Sequence, residues 1–470
     1  MKDIKISDDI EISNRLDEYI LKGLEDGIEI KNSINSNDVD STKNNKIKYL
    51  KTAMLVSIVS GATITGVYAV DKVIDYFKYN KDSIYKYEEE KMQQHVQVVD
   101  KSKKHDGVEF RLDTVVSDDS YIIVNYTVIS DKKISELENG EELQKNVSMA
   151  NPFVRLLKGN KEVFEGGNME TEATFVSDYE LKGMMRFRVG KYDIKDKTVL
   201  TVDTWEVFGI EKDWSINFKL DKKSTNKSSY KYNVGKSQTI ISDMEHEGNI
   251  IEVKNKFTVD NITIAPMGNT ITVTEEVDCP EMESLPYIGD RFVLVDEENN
   301  QLDLLVNGVS VPDEPNKPIT STYEFLLSNP KTKYIKVVPY EYENQTSNTL
   351  LDLKEINNMP IDFKISKYGD IKIDRFEITD DRIKYSYTKD GIIPYLSDLV
   401  FCDENGEALF FENSFSKKSV DRDNNRVDVI INLETNKDKS IAKKIKKVTL
   451  YSDNGLKLMN DNSIKIELKN

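Results

Sequence analysis

The sequence predicts a mainly β protein carried by one membrane-crossing helix. In order, it reads as a short cytoplasmic helix, one transmembrane helix, a helical stalk, and three tandem antiparallel β-sandwich (Ig-like) repeats. Three observations predict this. Residues 52–70 carry no charged side chain in a chain that is 31% charged. Beyond residue 105 apolar residues alternate with polar ones, the period of a half-buried strand. Several landmarks then recur three times in the same order, which marks an internal repeat.

The first segment, residues 1–47, contains "ISNRLDEYILKGLEDGIEIK". Ile12, Leu16, Tyr19, Ile20 and Leu24 fall on one face at helical spacing. Ser13 or Asn14 can cap the start and Gly27 can end it. So short a piece cannot close a core, and an isolated helix of this length is marginal in water. Its apolar stripe therefore needs a partner. Asp17, Glu18, Glu25 and Asp26 make the helix acidic, a poor match for an anionic inner leaflet. That favours a cytoplasmic protein partner, with "NSINSNDVDSTKNN" as a polar tether.

Residues 48–70 are the predicted span. The uncharged run 52–70 would reach about 28 Å as a helix, close to the roughly 30 Å of bilayer hydrocarbon. Lys43, Lys46, Lys48 and Lys51 crowd one end without an acid, while Asp71, Lys72 and Asp75 nearly cancel at the other. The positive-inside rule then predicts a single-pass cell-membrane protein with a cytoplasmic N-terminus and extracellular C-terminal domains. Two other readings are a secretory signal, which the long leader disfavours, and a buried soluble helix, which the lysine asymmetry disfavours. Gly61, Thr63 and Gly66 weaken the middle of the span and mark a candidate site of intramembrane processing; the same glycines would also allow close helix packing.

Residues 71–104 read as a helical juxtamembrane stalk. The β pattern then begins with "VEFRLDTVVSDDSYIIVNYTV", a hairpin turning at residues 117–120. Phe110-Arg-Leu-Asp113 recurs as Phe257-Thr-Val-Asp260 and as Ile371-Lys-Ile-Asp374. "PFVRLLKGNKEVF", "FVLVDEENNQLDLL" and "LVFCDENGEALFF" follow in the three copies. "WSINFKL", "PIDFKI" and "SIKIEL" close them. The repeat length is about 110–120 residues, and the copies are assigned to residues 105–222, 236–366 and 368–470.

Composition excludes several functions. A net charge of −18 repels phosphate backbones, so no nucleic-acid partner is expected. Cys279 and Cys402 offer neither a disulfide framework nor a metal cluster and read as small buried hydrophobes. His95, His105 and His246 form no metal pair, and no nucleophile elbow or phosphate-binding loop occurs. Asp421-x-Asp423-x-Asn425 begins like a calcium loop, but Arg426 and Asn432 stand where glycine and glutamate are needed. No enzyme, cofactor or metal is therefore expected, and no carboxylate pair is singled out for catalysis.

The segments "NRLDEYILKGLEDG" and "DGVEFRLDTVVSDDSYIIVNYTV", with the lysine run, span and tyrosine-rich stalk between them, resemble an uncharacterised family of Gram-positive single-pass membrane proteins. Its members are regarded as anti-sigma factors of extracytoplasmic-function sigma factors. The resemblance covers roughly residues 12–130, and the second copy resembles a domain that commonly follows in that family. It implies signal transduction across the cell envelope, with the inner helix occluding a sigma factor and the outer part sensing envelope conditions. The third copy departs from that pattern, and no His/Cys zinc motif is present. The alternative is a surface-anchored adhesion or binding protein with no cytoplasmic partner, and an exported enzyme stands third.

Overall fold

Three hairpins carry the repeated aspartate motif in this computed structural model. It describes residues 76–468 except 164–169, 193, 224, 226–227, 247–248, 280–291, 311–316, 328–330, 343–348, 395, 413 and 422–425. Val108–Ser117 pairs with Tyr121–Ser130, Asn249–Ile264 with Asn269–Asp278, and Gly369–Ile378 with Arg382–Gly391, all antiparallel. In each first strand the register skips one residue: between Leu112 and Thr114, Val259 and Asn261, and Ile373 and Arg375. The skipped residues are the motif aspartates, Asp113, Asp260 and Asp374. A bulge leaves one residue unpaired and sharpens the local twist. The carboxylates tie two of these bulges to the facing strand, since Thr127 donates to Asp113 at 2.5 Å and Thr274 to Asp260 at 2.7 Å. Asp374 instead lies 3.4 Å from the Arg426 guanidinium.

Each hairpin belongs to a five-stranded sheet, and the three sheets share one strand order. The first runs Val96–His105, Val108–Ser117, Tyr121–Ser130, Glu180–Arg188, Glu170–Ser177. The second runs Tyr230–His246, Asn249–Ile264, Asn269–Asp278, Ile319–Phe325, Leu304–Ser310. The third runs Ile361–Lys364, Gly369–Ile378, Arg382–Gly391, Arg426–Leu433, Ser414–Asp421. In every one the last hairpin enters with its later strand innermost. A smaller sheet shares a hydrophobic core with each; in the first unit Leu156, Leu200 and Phe218 from the small sheet join Phe110, Val124 and Phe187 from the large one. The small-sheet turns also correspond. Gly159, Asn299 and Gly406 take left-handed φ values of 61°, 64° and 86°. In the second turn Asp296 accepts from the amides of Glu298 and Asn300, and in the third Asp403 accepts from Asn405 and Glu407, the same aspartate-closed turn.

The outer strands are not distributed as the linear repeat implies. In the first unit Ile216–Lys219 pairs with Val199–Asp203. Ile361–Lys364, expected to close the second copy, instead forms the edge of the third large sheet against Gly369–Ile378. Ile464–Glu467, expected to close the third copy, pairs with Tyr334–Tyr342 of the second, with Val337 opposite Ile464 and Ile335 opposite Ile466. The chain thus traverses the third unit and returns to complete the second. All three closing strands show the same inward–outward alternation, so any of them fits any vacant edge, and the pattern alone does not choose the edge.

The segment expected to be a helical stalk is largely something else. It is helical over residues 76–79 and in Glu89–Gln94, with turns between them. Val96–His105 is an edge strand of the first sheet. Val96 and Val98 alternate with polar Gln97, and Lys101 then donates to the Asn217 carbonyl of Ile216–Lys219 at 2.9 Å while Lys103 pairs with Asp213. No helix among the described residues is long and apolar enough to cross a membrane; residues 48–70 lie outside them. Cys279 and Cys402 are buried thiols.

Candidate functional site

The first large sheet is covered on both faces. Along Tyr121–Ser130, Ile122, Val124, Tyr126 and Val128 face the core shared with the small sheet. Tyr121 and Ile123, with Val116 and Met184, face the other way. On that second face sit Tyr76, Phe77, Tyr85 and Met92, none more than 7% exposed. Met267, from the turn after Asn249–Ile264 in the second unit, enters the same cluster. The segment just before the β region is therefore seated on the first sheet and touches the second unit.

Two carboxylates, Glu172 buried and Glu170 partly buried, fix the seat. Glu172 accepts from the Tyr76 hydroxyl at 3.0 Å, Asn80 Nδ2 at 3.3 Å, Ser83 Oγ at 2.5 Å and the Ile84 amide at 2.8 Å. Glu170 accepts from the Tyr85 hydroxyl and from Arg186 Nη1, the latter at 2.9 Å. Burial, and then the charges of Glu172 and Glu170, push the Tyr76 and Tyr85 phenols far up, so both remain neutral donors.

Arg186 joins this seat to the second unit. Both its terminal nitrogens donate to Glu324 at 2.6 Å, and Nη2 also donates to the Met267 carbonyl at 2.7 Å. Its guanidinium carbon lies 3.4 Å from the Tyr121 ring centre, a cation–π contact shielded from water. Burial opposes the Arg186 charge, and Glu324, Tyr121 and Glu170 outweigh it. Gly268 lets the turn approach so closely: a Cβ there would lie 2.5 Å from Tyr121 and 2.6 Å from Glu324 Oε1. Asp118 completes the junction, accepting from the Ser120 and Tyr121 amides at 2.8 Å and from the Met267 amide at 2.5 Å.

Asp118 also responds to acid. Three amide donors favour its carboxylate, yet burial outweighs them and raises its pKa to about 6. A raised carboxyl contributes stability that is fully present below about pH 4 and is lost as the pH climbs through about 6. The native chain should therefore gain a stabilising component on acidification from about pH 7 to about pH 4 that the Asp118→Asn chain lacks. Thermal midpoints of both chains across that range check this; a native-minus-variant difference that stays flat with pH would sink it.

The segment also reaches the third unit. Lys86 Nζ lies 2.5 Å from Asp428 Oδ2, and the Tyr87 hydroxyl donates to the same oxygen at 2.6 Å. Arg382 Nη1 donates to Asp82 at 2.5 Å, and Lys384 Nζ lies 3.5 Å from that carboxylate. The candidate residues predicted in the N-terminal region (Ile12, Leu16, Tyr19, Ile20, Leu24, Gly61, Thr63 and Gly66) lie outside the described residues, as do most of those in the calcium-like loop. The residues 76–87 were not among them, although Tyr76, Tyr79, Tyr85 and Tyr87 in one short stretch are more aromatic than a solvated stalk needs. No group of three or more metal-ligating side chains occurs among the described residues.

Residues 41–130 match a family described as a domain of unknown function, DUF4179. That match covers the predicted span, the seated segment and the first hairpin. Residues 239–379 match a second, described as a family of unknown function, DUF5643. It runs through Ile361–Lys364 to the end of Gly369–Ile378, and so includes the first two strands of the third large sheet. No curated protein matches. Among solved structures the chain is similar to a conserved domain protein from Bacillus anthracis, at 16% identity and a TM-score of 0.35, over 56% of this chain and 82% of that one.

Proposed function

We propose that the protein is a single-pass membrane regulator of the anti-sigma-factor kind. Residues 48–70 cross the membrane, and the cytoplasmic helix around Leu16 and Ile20 holds a sigma factor or a similar regulator. The three two-sheet units, taken as Ig-like β-sandwich copies, face the cell envelope and sense it. No catalytic step, cofactor or nucleic acid enters this reading. One observation carries it. The segment that would leave the membrane is buried against the first large sheet and tied to Glu172 and Glu170, instead of serving as a free tether. A passive anchor needs only length, whereas a signalling anchor needs a junction whose state depends on the domains outside.

The test uses residues 1–47 as bait in cytoplasmic extract. A sigma factor should be retained, and Leu16→Asp or Ile20→Asp should abolish its retention, because a charge on the apolar stripe removes the burial that holds a helix in a groove. Equal retention by a bait with residues 12–30 scrambled would leave the surface-anchored adhesion reading in its place. A topology reporter placed after residue 70 should be active outside the cell, and one placed at residue 45 inside.

A further inference from the structure

We propose that the third β unit straps the membrane-proximal segment onto the first, so that the segment is seated only while the third unit is in place. This rests on the regulatory reading above and names the element that would transmit the cue. Its test reads only the seating of the segment, so either can fail without the other.

The alternation along residues 82–87 carries the inference. Asp82 faces Arg382 and Lys384 of the third unit. Ser83 and the Ile84 amide face Glu172 of the first, and Tyr85 faces Glu170. Lys86 and Tyr87 turn back to Asp428 of the third. The strand partners Arg382–Gly391 and Arg426–Leu433 present opposite charges, Arg382 and Lys384 on one and Asp428 on the other, against opposite charges in the segment. That complementarity sets direction as well as contact. Between its two short helices the segment has turn bonds only, such as Ser83 to Asn80, Lys86 to Ser83 and Glu88 to Tyr85. With so little internal structure, its conformation depends on both flanking units, and loss of one set of contacts frees the chain that makes the other.

Amide hydrogen exchange on the full-length chain tests this. Arg382→Glu replaces attraction to Asp82 by repulsion, and Asp82→Arg with Arg382→Glu restores an opposed pair. In Arg382→Glu, exchange over residues 76–88 should quicken about tenfold, the loss of one charge-assisted contact. That stretch includes the Ile84 amide, which reports contact with Glu172 in the first unit. Tyr121–Ser130 should stay protected, and the exchanged pair should slow exchange over residues 76–88 again. Unchanged exchange over residues 76–88, a rise that the exchanged pair does not reverse, or a rise that comes only together with Tyr121–Ser130 would each overturn the strap.

Discussion

Ile464→Ala together with Ile466→Ala should unfold the second β unit, although both residues lie at the far end of the chain, past the third. Ile464 and Ile466 are 3% and 4% exposed and belong to the core of Phe257, Val259, Ile271 and Tyr323. Truncating a buried isoleucine to alanine costs about 2–5 kcal/mol. Two such losses on one edge strand approach the whole stability of a typical domain, about 5–15 kcal/mol. The backbone ladder from Tyr334 to Val337 would lose its partner as well. Hydrogen exchange should show Asn269–Asp278 and Tyr334–Tyr342 deprotected while Gly369–Ile378 and Arg382–Gly391 hold. Loss of protection confined to the third unit would show that the closing strand works where the linear repeat puts it. The same topology implies that residues 236–366 do not fold alone, because that piece lacks the strand that covers its core.

The hairpins are legible in the sequence because each of their landmarks has a local cause. Asp113, Asp260 and Asp374 recur because a bulge is placed there, and Gly159, Asn299 and Gly406 recur because a tight turn needs a left-handed residue. Alternation supplies the inward face. The exchange of closing strands is not legible, since Ile216/Phe218, Ile361/Phe363 and Ile464/Ile466 are equivalent as patterns and only long-range packing selects the edge. The order of landmarks therefore follows the order of the hairpins but not the pairing of the closing strands.

The seated segment is hidden for a different reason. Its polar residues, Asn80, Ser83 and Lys86, read as solvated, but they are the donors that satisfy Glu172 and Asp428. A carboxylate without its partners is costly to bury, and four donors from one segment make Glu172 tolerable. One signal was available. "YIIVNYTV" is a nearly continuous apolar run, the mark of a strand buried on both faces, and it implies that something covers the outer face of the first sheet. The aromatic stretch around Tyr76 is the nearest candidate in the chain.

Arg186→Met should be the most damaging single change at the junction of the first and second units. It takes both guanidinium donors away from Glu324, which is 1% exposed, and removes the donor to Glu170 and to the Met267 carbonyl. Breaking a buried pair by deleting one partner costs about 3–5 kcal/mol, because the remaining charge is left without compensation. Replacing both partners costs less, since no unpaired charge remains. Arg186→Met with Glu324→Gln should therefore be more stable than Arg186→Met alone, and the double-mutant cycle should give a coupling of about 2 kcal/mol or more. Denaturant titration followed by proteolysis in the turn around Met267 measures all four chains. Simple additivity would mean that Arg186 and Glu324 act independently and that the Met267 turn is held by apolar packing alone. Coupling, by contrast, makes the ion pair the element that fixes how the second unit meets the seated segment, because only a charge set opposite Glu324 and over the Tyr121 ring satisfies both partners at once.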